Sequence, residues 1–282
     1  MAVPQRAQRW SISPSPDTFF ENPPWSDGEG RGIKGRYRLG LEPIDTALWF
    51  PFRITPAEQA RKTELILQRG RQVYARADAG HGAERLAAQS VASHLRETDV
   101  HDLAAASLLV PDDLCVMQKR NDAFVLVAAS LCSPSYWSLL DKLEQPLDVI
   151  HANVEGLNDR IGPRMQSFFE RLPQGRVFQR RNWFAHNDSE PFHPRYVGEI
   201  SVPAEDLVIR SERQTLTKLN GDVVLFTIHV IFAPLADIRR HPAAQRSLLE
   251  ATATWSPAEV RDFGAARLQS VRGYVQELQR CA

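Results

Sequence analysis

Five strand-like runs, divided into two groups by helical patterns, restrict the fold of this chain more than any other feature. They share the apolar, β-branched and aromatic character of strands and cover residues 113–119, 123–131, 177–186, 207–218 and 223–232. The polar residues 120–122 separate the first two runs, as a hairpin turn does. Helical patterns at 136–142 and 157–171 stand between the second and third runs. This order predicts one mainly antiparallel sheet with helices inserted after its second strand.

The predicted fold class is α+β. The order of two strands, helices and three strands is that of a PAS-like, five-stranded antiparallel sheet with helices on one face. N-terminal and C-terminal helical extensions would flank it. We therefore expect four regions that pack as one compact unit: an extended, aromatic and Pro-rich arm at 1–54, a helical segment at 55–105, a PAS-like core at 106–236 and C-terminal helices at 237–282.

The sequence contains two capping-box motifs, each with proline at the first helical position, and each predicts the start of a helix. They are Thr55-Pro56-Ala57-Glu58 and Ser256-Pro257-Ala258-Glu259. The first predicts a helix to about residue 76 that buries Ile66 and Leu67. The second predicts a single helical stripe from Val260 to Leu278.

The charge and cysteine content exclude several classes of protein. The 34 basic and 34 acidic residues cancel, so the chain has no overall basic field for nucleic acid or a membrane surface. Three scattered cysteines are typical of a reducing compartment and cannot form a disulfide framework. No apolar run is long enough to span a membrane, and the first ten residues contain no signal-peptide core. We expect a cytoplasmic protein.

One histidine, His151, follows the apolar run 147–150 and precedes the long helical pattern. A lone histidine beside an apolar wall is a poor general base but a natural axial ligand for haem iron. The alternative is a histidine that is satisfied within the core, as is common for residues of this type on apolar faces.

The run 207–216 carries long polar side chains in the middle of a predicted strand. Alternate strand residues share a face, so Arg213 lies on the face of Leu207, which we expect to be buried. A buried guanidinium is costly unless it is paired or faces an anion. A haem propionate or a polarised oxygen would be such a partner. A structural ion pair with Glu155 or Asp159 is the alternative.

Several segments together resemble the haem-binding alpha subunit of the haem-dependent oxidative N-demethylases over roughly residues 40–236. They are DLC at 113–115, SPSYW at 133–137, PLDVIH at 146–151, RRNW at 180–183, and ERQTL at 212–216 followed by LFTI at 225–228. The last pair is the most specific.

The resemblance implies a PAS-like fold that binds haem b. It also implies an oxygen-dependent removal of a methyl group from a small secondary amine such as dimethylamine, with release of formaldehyde. The electrons would come from NADPH through partner reductase subunits that carry FMN and a 2Fe–2S cluster. Another partner would use tetrahydrofolate to accept the one-carbon unit. The implied enzyme is a haem-dependent monooxygenase.

We expect His151 to be the axial ligand of the haem iron, by analogy with haem-binding PAS sensors whose ligand precedes the last three strands. Polar side chains of those strands would form the distal wall and polarise oxygen or hold the amine. The residues expected there are Asn182, Arg210, Glu212 and Arg213. The residues expected against the cofactor are Trp137, Leu147, Ile150 and Trp183.

Two other functions share these residues. A haem-binding PAS gas sensor would bind the same cofactor without turnover. A haem-free interaction protein would keep the fold, satisfy Arg213 with a protein carboxylate and have no cavity beside His151.

Overall fold

The computed structural model describes residues 18–28, 35–196 and 202–281; residues 1–17 and 29–34 of the predicted N-terminal arm lie outside the described ranges. Its centre is one antiparallel sheet. The strands are β1 (Glu42–Ile44), β2 (Tyr74–Arg76), β3 (Asp113–Arg120), β4 (Ala123–Ser130), β5 (Val177–His186), β6 (Val208–Lys218) and β7 (Val223–Pro234). The mixed helix and strand composition confirms the α+β class.

Within the described residues the sheet has seven strands in the order β1-β5-β6-β7-β3-β4-β2, so the prediction of five strands was wrong. The two additional strands, β1 and β2, lie at the sheet edges and are three residues long. A run of three residues is too short to show the two-residue alternation by which strands are recognised. β1 pairs with Val177–Gln179, the first three residues of β5.

Helices pack on the sheet and continue beyond it. They are α1 (Pro56–Arg69), α2 (His81–Leu95), α3 (Leu103–Ser107), α4 (Leu139–Lys142), α5 (Leu147–Ile150), α6 (Leu157–Arg171), α7 (Pro242–Ala253), α8 (Pro257–Phe263) and α9 (Ala265–Cys281). Among the described residues, no helix has both the length and the apolar character required to cross a membrane.

Both predicted capping boxes are present. The side chain of Thr55 accepts from the Glu58 N–H at the start of α1, and Ser256 caps α8 in the same way. The predicted inward face of α1 was wrong at Leu67, which is 79% exposed. Lys62 is buried instead, because its ammonium donates to three backbone carbonyl oxygens of residues 107–112. That network satisfies a buried charge that periodicity alone does not predict.

The predicted C-terminal stripe is divided between two helices. α8 ends at Phe263, the following Gly264 has a φ of +94°, outside the helical region, and α9 begins at Ala265. Glycine adopts this conformation without steric cost, so the chain can turn there and still bury residues of both helices.

Strand alternation gives the sheet two covered faces. The first, here called the cleft face, carries Phe178 of β5, Leu216 of β6 and Phe226 of β7, which pack with α4, α5 and α6. The opposite face packs against α2 and α3 near β3 and β4. It packs against the α7–α9 helices near β5 and β6. Both faces of β6 are therefore buried, so an arginine on either face of this strand is buried.

Candidate functional site

His151 ends the short helix α5 on the cleft side of the sheet. Its Nδ1 lies 2.7 Å from the carbonyl oxygen of Leu147. A carbonyl oxygen only accepts hydrogen bonds, so Nδ1 carries the ring proton and Nε2 keeps its lone pair. Within the described ranges, no hydrogen bond reaches Nε2. Metal-binding histidines commonly donate their second ring nitrogen to a backbone carbonyl, which fixes the tautomer and the ring orientation.

The electrostatic surroundings of His151 keep its ring neutral. Burial lowers the pKa of His151 below its ordinary value, and the positive charges of Arg180 and Lys142 lower it further. The hydrogen bond to Leu147 opposes this shift but does not cancel it. A neutral imidazole is the form that binds a metal ion.

Apolar side chains form one cluster on the His151 side of the sheet, a region here called the cleft. The structure brings Trp137, Leu147 and Ile150, three residues predicted to contact the cofactor, into one hydrophobic cluster beside the sheet. Leu147 is buried, whereas Trp137 and Ile150 are only partly buried. Other apolar side chains of the cluster are also incompletely covered: Leu41, Leu143, Met165, Phe168, Phe178 and Phe226. Aromatic and aliphatic side chains of this kind line most cofactor pockets.

Polar side chains continue the cleft face beyond these apolar residues. Arg180 of β5 lies opposite Gln214 of β6, and Asn182 lies opposite Glu212. Glu212 pairs with Arg210 at 3.0 Å and accepts a hydrogen bond from Gln214 at 2.8 Å. Three of the predicted distal residues, Asn182, Arg210 and Glu212, therefore share the face of the sheet on which the cleft lies.

The loop at 131–138 that carries Trp137 is held from two sides. The buried carboxylate of Asp113 accepts the N–H groups of Cys132 and Ser133, both at 2.8 Å. The carbonyl of Ser133 accepts from Arg210 at 2.6 Å. Tyr136 in this loop has a φ of +60°, a strained backbone conformation that its surroundings must impose. Asp113 and Arg210 thus fix the approach of this loop to the cleft.

Arg213 lies on the opposite face of β6 and is separated from His151 by the sheet. Its guanidinium donates to Gln179 Oε1 at 2.5 Å and to the carbonyl oxygens of Trp49 and Leu48 at 3.0 and 2.7 Å. Burial lowers the pKa of Arg213 to about 10, against the favourable charge of Asp112. The structure corrects the expected position: Arg213 is buried as predicted, but it ties the segment after β1 to the sheet.

Trp183 is also separated from the cleft. It shares the opposite face with Ala185 and lies in an aromatic cluster, with ring centroids 5.0 Å from Trp25, 5.1 Å from Phe263 and 5.6 Å from Trp255. Strand alternation explains this difference, because Trp183 follows Asn182 by one residue and therefore points the other way. Its contacts are those of a core residue.

A second buried histidine, His186, lies at the far end of β5. It is 1% exposed, stacks on Tyr136 at 5.1 Å and lies near His193. Burial lowers its pKa to about 3, and the charge of Arg210 contributes. His193 contacts Asp188 at 3.0 Å, yet the described residues contain no group of three or more potential ligands placed to hold a metal ion.

Sequence reasoning did not identify Asp113 or the aromatic residues of α6 as parts of this site. Asp113 stands at the start of a strand, and only the folded chain shows the two backbone N–H groups that it accepts. Met165 and Phe168 are three residues apart, and this helical spacing could have marked one face of α6 as apolar.

Two comparisons with known proteins were informative. A family model described as "Haem-dependent oxidative N-demethylase, alpha subunit-like" matches residues 67–269, which is most of the chain. A search of curated proteins found no match. The matched range includes His151 and the five longest strands.

Proposed function

Because this chain belongs to the haem-dependent oxidative N-demethylase, alpha subunit-like family, we propose that it binds haem b through His151. We further propose that it uses dioxygen to demethylate a small secondary amine such as dimethylamine. The products would be the primary amine, formaldehyde and water, with two electrons and two protons supplied for each dioxygen consumed.

The hydrogen bond from His151 Nδ1 to the Leu147 carbonyl is the observation that carries the proposal. It presents Nε2 as a neutral ligand beside partly open apolar side chains. The donor set suits haem iron, which is commonly held by a histidine. A bound haem supplies an iron centre at which dioxygen is activated.

Distinct parts of the chain would perform distinct tasks around that centre. Trp137, Leu147 and Ile150 would exclude water and contact the macrocycle. Asn182 and Glu212 would orient the amine and stabilise charge that develops during the reaction. Removing one preorganised donor or acceptor of this kind commonly costs on the order of a hundredfold in rate. Arg210 would hold Glu212 and the loop that carries Trp137.

We propose that partner subunits supply the electrons. The three cysteines of the chain are fewer than the four of an ordinary iron–sulfur cluster. A family described as alpha subunit-like belongs to a multi-subunit assembly. We propose that reductase partners with FMN and a 2Fe–2S cluster deliver the electrons of NADPH. A further partner with tetrahydrofolate would accept the one-carbon product.

We also interpret the centre of the sheet as a PAS-like core within residues 106–236. The support is the order β5-β6-β7-β3-β4, in which the first strand of the core lies next to the last and the helices α4–α6 connect its two halves. We also propose that the protein is cytoplasmic.

Formaldehyde release tests the proposed reaction. The purified protein is loaded with hemin and supplied with dimethylamine, dioxygen, NADPH and a ferredoxin-type reductase system. We expect formaldehyde and methylamine in equal amounts, and none with His151→Ala. A carbon monoxide-sensitive Soret band without any amine turnover, across several secondary amines, would favour a gas sensor. Absence of specific haem binding would favour an interaction protein.

A further inference from the structure

Tyr136 and Trp137 are consecutive residues whose rings lie in different clusters. The ring of Trp137 packs with the apolar cluster of the cleft. The ring of Tyr136 instead lies parallel to the ring of His186, with centroids 5.1 Å apart and an interplanar angle of 8°. The ring of His193 is also near, at 5.6 Å from Tyr136 between centroids. The chain therefore directs two adjacent aromatic side chains to separate places.

The backbone of Tyr136 makes this division possible. Its φ of +60° lies in the left-handed region, where a large side chain is strained. This conformation turns the chain between the two rings. Strain of this kind persists only where the surrounding contacts impose it. The contacts of Tyr136 must therefore offset what its backbone loses.

Backbone hydrogen bonds to one neighbouring segment locate the amide of Tyr136. Its N–H donates to the carbonyl oxygen of His193 at 2.7 Å, and the N–H of His193 donates to the carbonyl oxygen of Pro134 at 3.2 Å. Ser135 and His193 form a parallel bridge at the same place. The angle φ is the rotation between this amide and the side chain, so anchoring the ring of Tyr136 as well fixes φ.

The ring of His186 is a fixed support for that anchor. This residue is 1% exposed at the end of β5, and its Nε2 lies 3.4 Å from Ser135 Oγ. Burial lowers the pKa of His186 to about 3, so its ring is neutral near pH 7. Parallel aromatic rings at this separation have the offset-stacked geometry that is favourable for aromatic pairs. The stack is therefore available at neutral pH without any charged form of His186.

We propose that Tyr136 is a positioning residue, whose stack on His186 holds the left-handed turn that places Trp137 against the haem. The inference rests on the proposed function, in which Trp137 contacts the macrocycle and excludes water. It adds the residue that sets this contact, although the ring of Tyr136 lies in another cluster. The stack involves the aromatic ring and not the hydroxyl group, so phenylalanine should replace tyrosine here.

Transfer of haem to apomyoglobin measures how well Trp137 covers the cofactor. Each protein is loaded with hemin, and the rate of transfer is followed by absorbance. Trp137→Ala and Tyr136→Ala should each speed the transfer at least about tenfold, which corresponds to about 1.4 kcal/mol of barrier. The Soret band should keep its position in both variants, because His151 is unchanged. Tyr136→Phe should keep the wild-type rate.

The double variant Tyr136→Ala with Trp137→Ala separates positioning from general destabilisation. A positioning residue acts through Trp137, so the double variant should lose haem within about twofold of the rate of Trp137→Ala. Independent effects would multiply to about a hundredfold over wild type. Tyr274→Ala removes a partly buried ring of α9 in the cluster on the opposite face. It is the matched control and should keep the wild-type rate.

A glycine variant tests the part played by the backbone. Tyr136→Gly removes the ring but can adopt the φ of +60° without strain, whereas Tyr136→Ala removes the ring and keeps the strain. Tyr136→Gly should therefore retain haem better than Tyr136→Ala. General flexibility predicts the reverse order, because glycine loses more conformational entropy on folding than alanine does.

The outcomes separate this inference from the proposed function. Specific haem binding with multiplicative effects of the two alanine variants overturns the inference alone. Wild-type transfer from either alanine variant, or faster loss from Tyr136→Gly than from Tyr136→Ala, also overturns it. Tyr136→Leu, which keeps a large side chain without a flat ring, enters the same cycle if Tyr136→Ala does not fold. Absence of specific haem binding by the wild type overturns the proposed function and this inference with it.

Discussion

Arg210 and Glu212 form an ion pair at 3.0 Å on one face of β6, with both side chains almost wholly buried. Arg210 also donates to the Ser133 carbonyl, so the pair joins the centre of the sheet to the loop that carries Trp137. A buried charge pair contributes little net stability as a pair, but the loss of one partner leaves the other uncompensated. The pair therefore fixes geometry more than it adds to the free energy of unfolding.

Glu212→Gln should lower the free energy of unfolding by about 3 kcal/mol, because Arg210 then remains charged and buried without its carboxylate. Urea unfolding measures this loss. The double variant Arg210→Gln with Glu212→Gln should lose less than the sum of the single variants. Additive losses would mean that the two side chains do not interact.

Asp113→Asn should change how stability depends on pH. Burial raises the pKa of Asp113 from 3.8 to about 6, despite its two backbone N–H donors. The folded state therefore binds more protons than the unfolded state between these values, and this group adds stability as the pH falls through that window. The full difference is about 3 kcal/mol, at about 1.4 kcal/mol per pKa unit.

The corresponding measurement compares unfolding free energies of wild type and Asp113→Asn at about pH 7 and about pH 4.5. The deficit of the variant should be larger at the lower pH. An equal deficit at both values would show that Asp113 titrates normally in the folded state.

Glu259→Gln should show the opposite pH dependence. Burial alone would raise the pKa of Glu259, but N–H donors of Ser256 and Tyr37, together with Arg160, lower it overall. The stabilising charge is present at neutral pH and is lost as the pH falls through the folded-state pKa. The variant should lose about 2 kcal/mol at neutral pH and less in acid. Thermal melts at several pH values measure the trend, and a deficit that grows in acid would contradict it.

Arg213→Lys separates stability from cofactor binding. Lysine lacks the guanidinium N–H donors that bond to Gln179, Trp49 and Leu48. The free energy of unfolding should therefore fall by about 2 kcal/mol. Hemin affinity should stay within about twofold, because the side chain lies on the face of the sheet away from His151. Unchanged melting combined with a large loss of hemin affinity would place Arg213 in the haem site.

The sequence was most informative where a pattern is long. The strands β3 to β7 have eight residues or more, and their predicted and observed bounds differ by two residues at most. β1 and β2 have three residues each, and nothing in their sequence distinguishes them from the loops around them. Their pairing is decided by contacts between distant parts of the chain, which a local pattern does not contain.

The assignment of arginines to faces failed for a related reason. Strand alternation predicts which residues share a face, and it correctly grouped Arg213 with Ile209. It predicts burial only when one face meets solvent, whereas helices cover both faces of β6. Arg210 and Arg213 are 1% and 4% exposed on opposite sides, so burial could not identify which one faces the cleft.

Imidazole rescue of His151→Gly tests the central claim most directly. The wild-type protein titrated with hemin should show a stoichiometric Soret band that shifts when the reduced protein binds carbon monoxide. His151→Gly should lose this spectrum, and added imidazole should restore it by occupying the space of the missing ring. His186→Gly is the matched control and should keep the wild-type spectrum. A wild-type spectrum from His151→Gly without imidazole would contradict the account and assign the iron to another ligand.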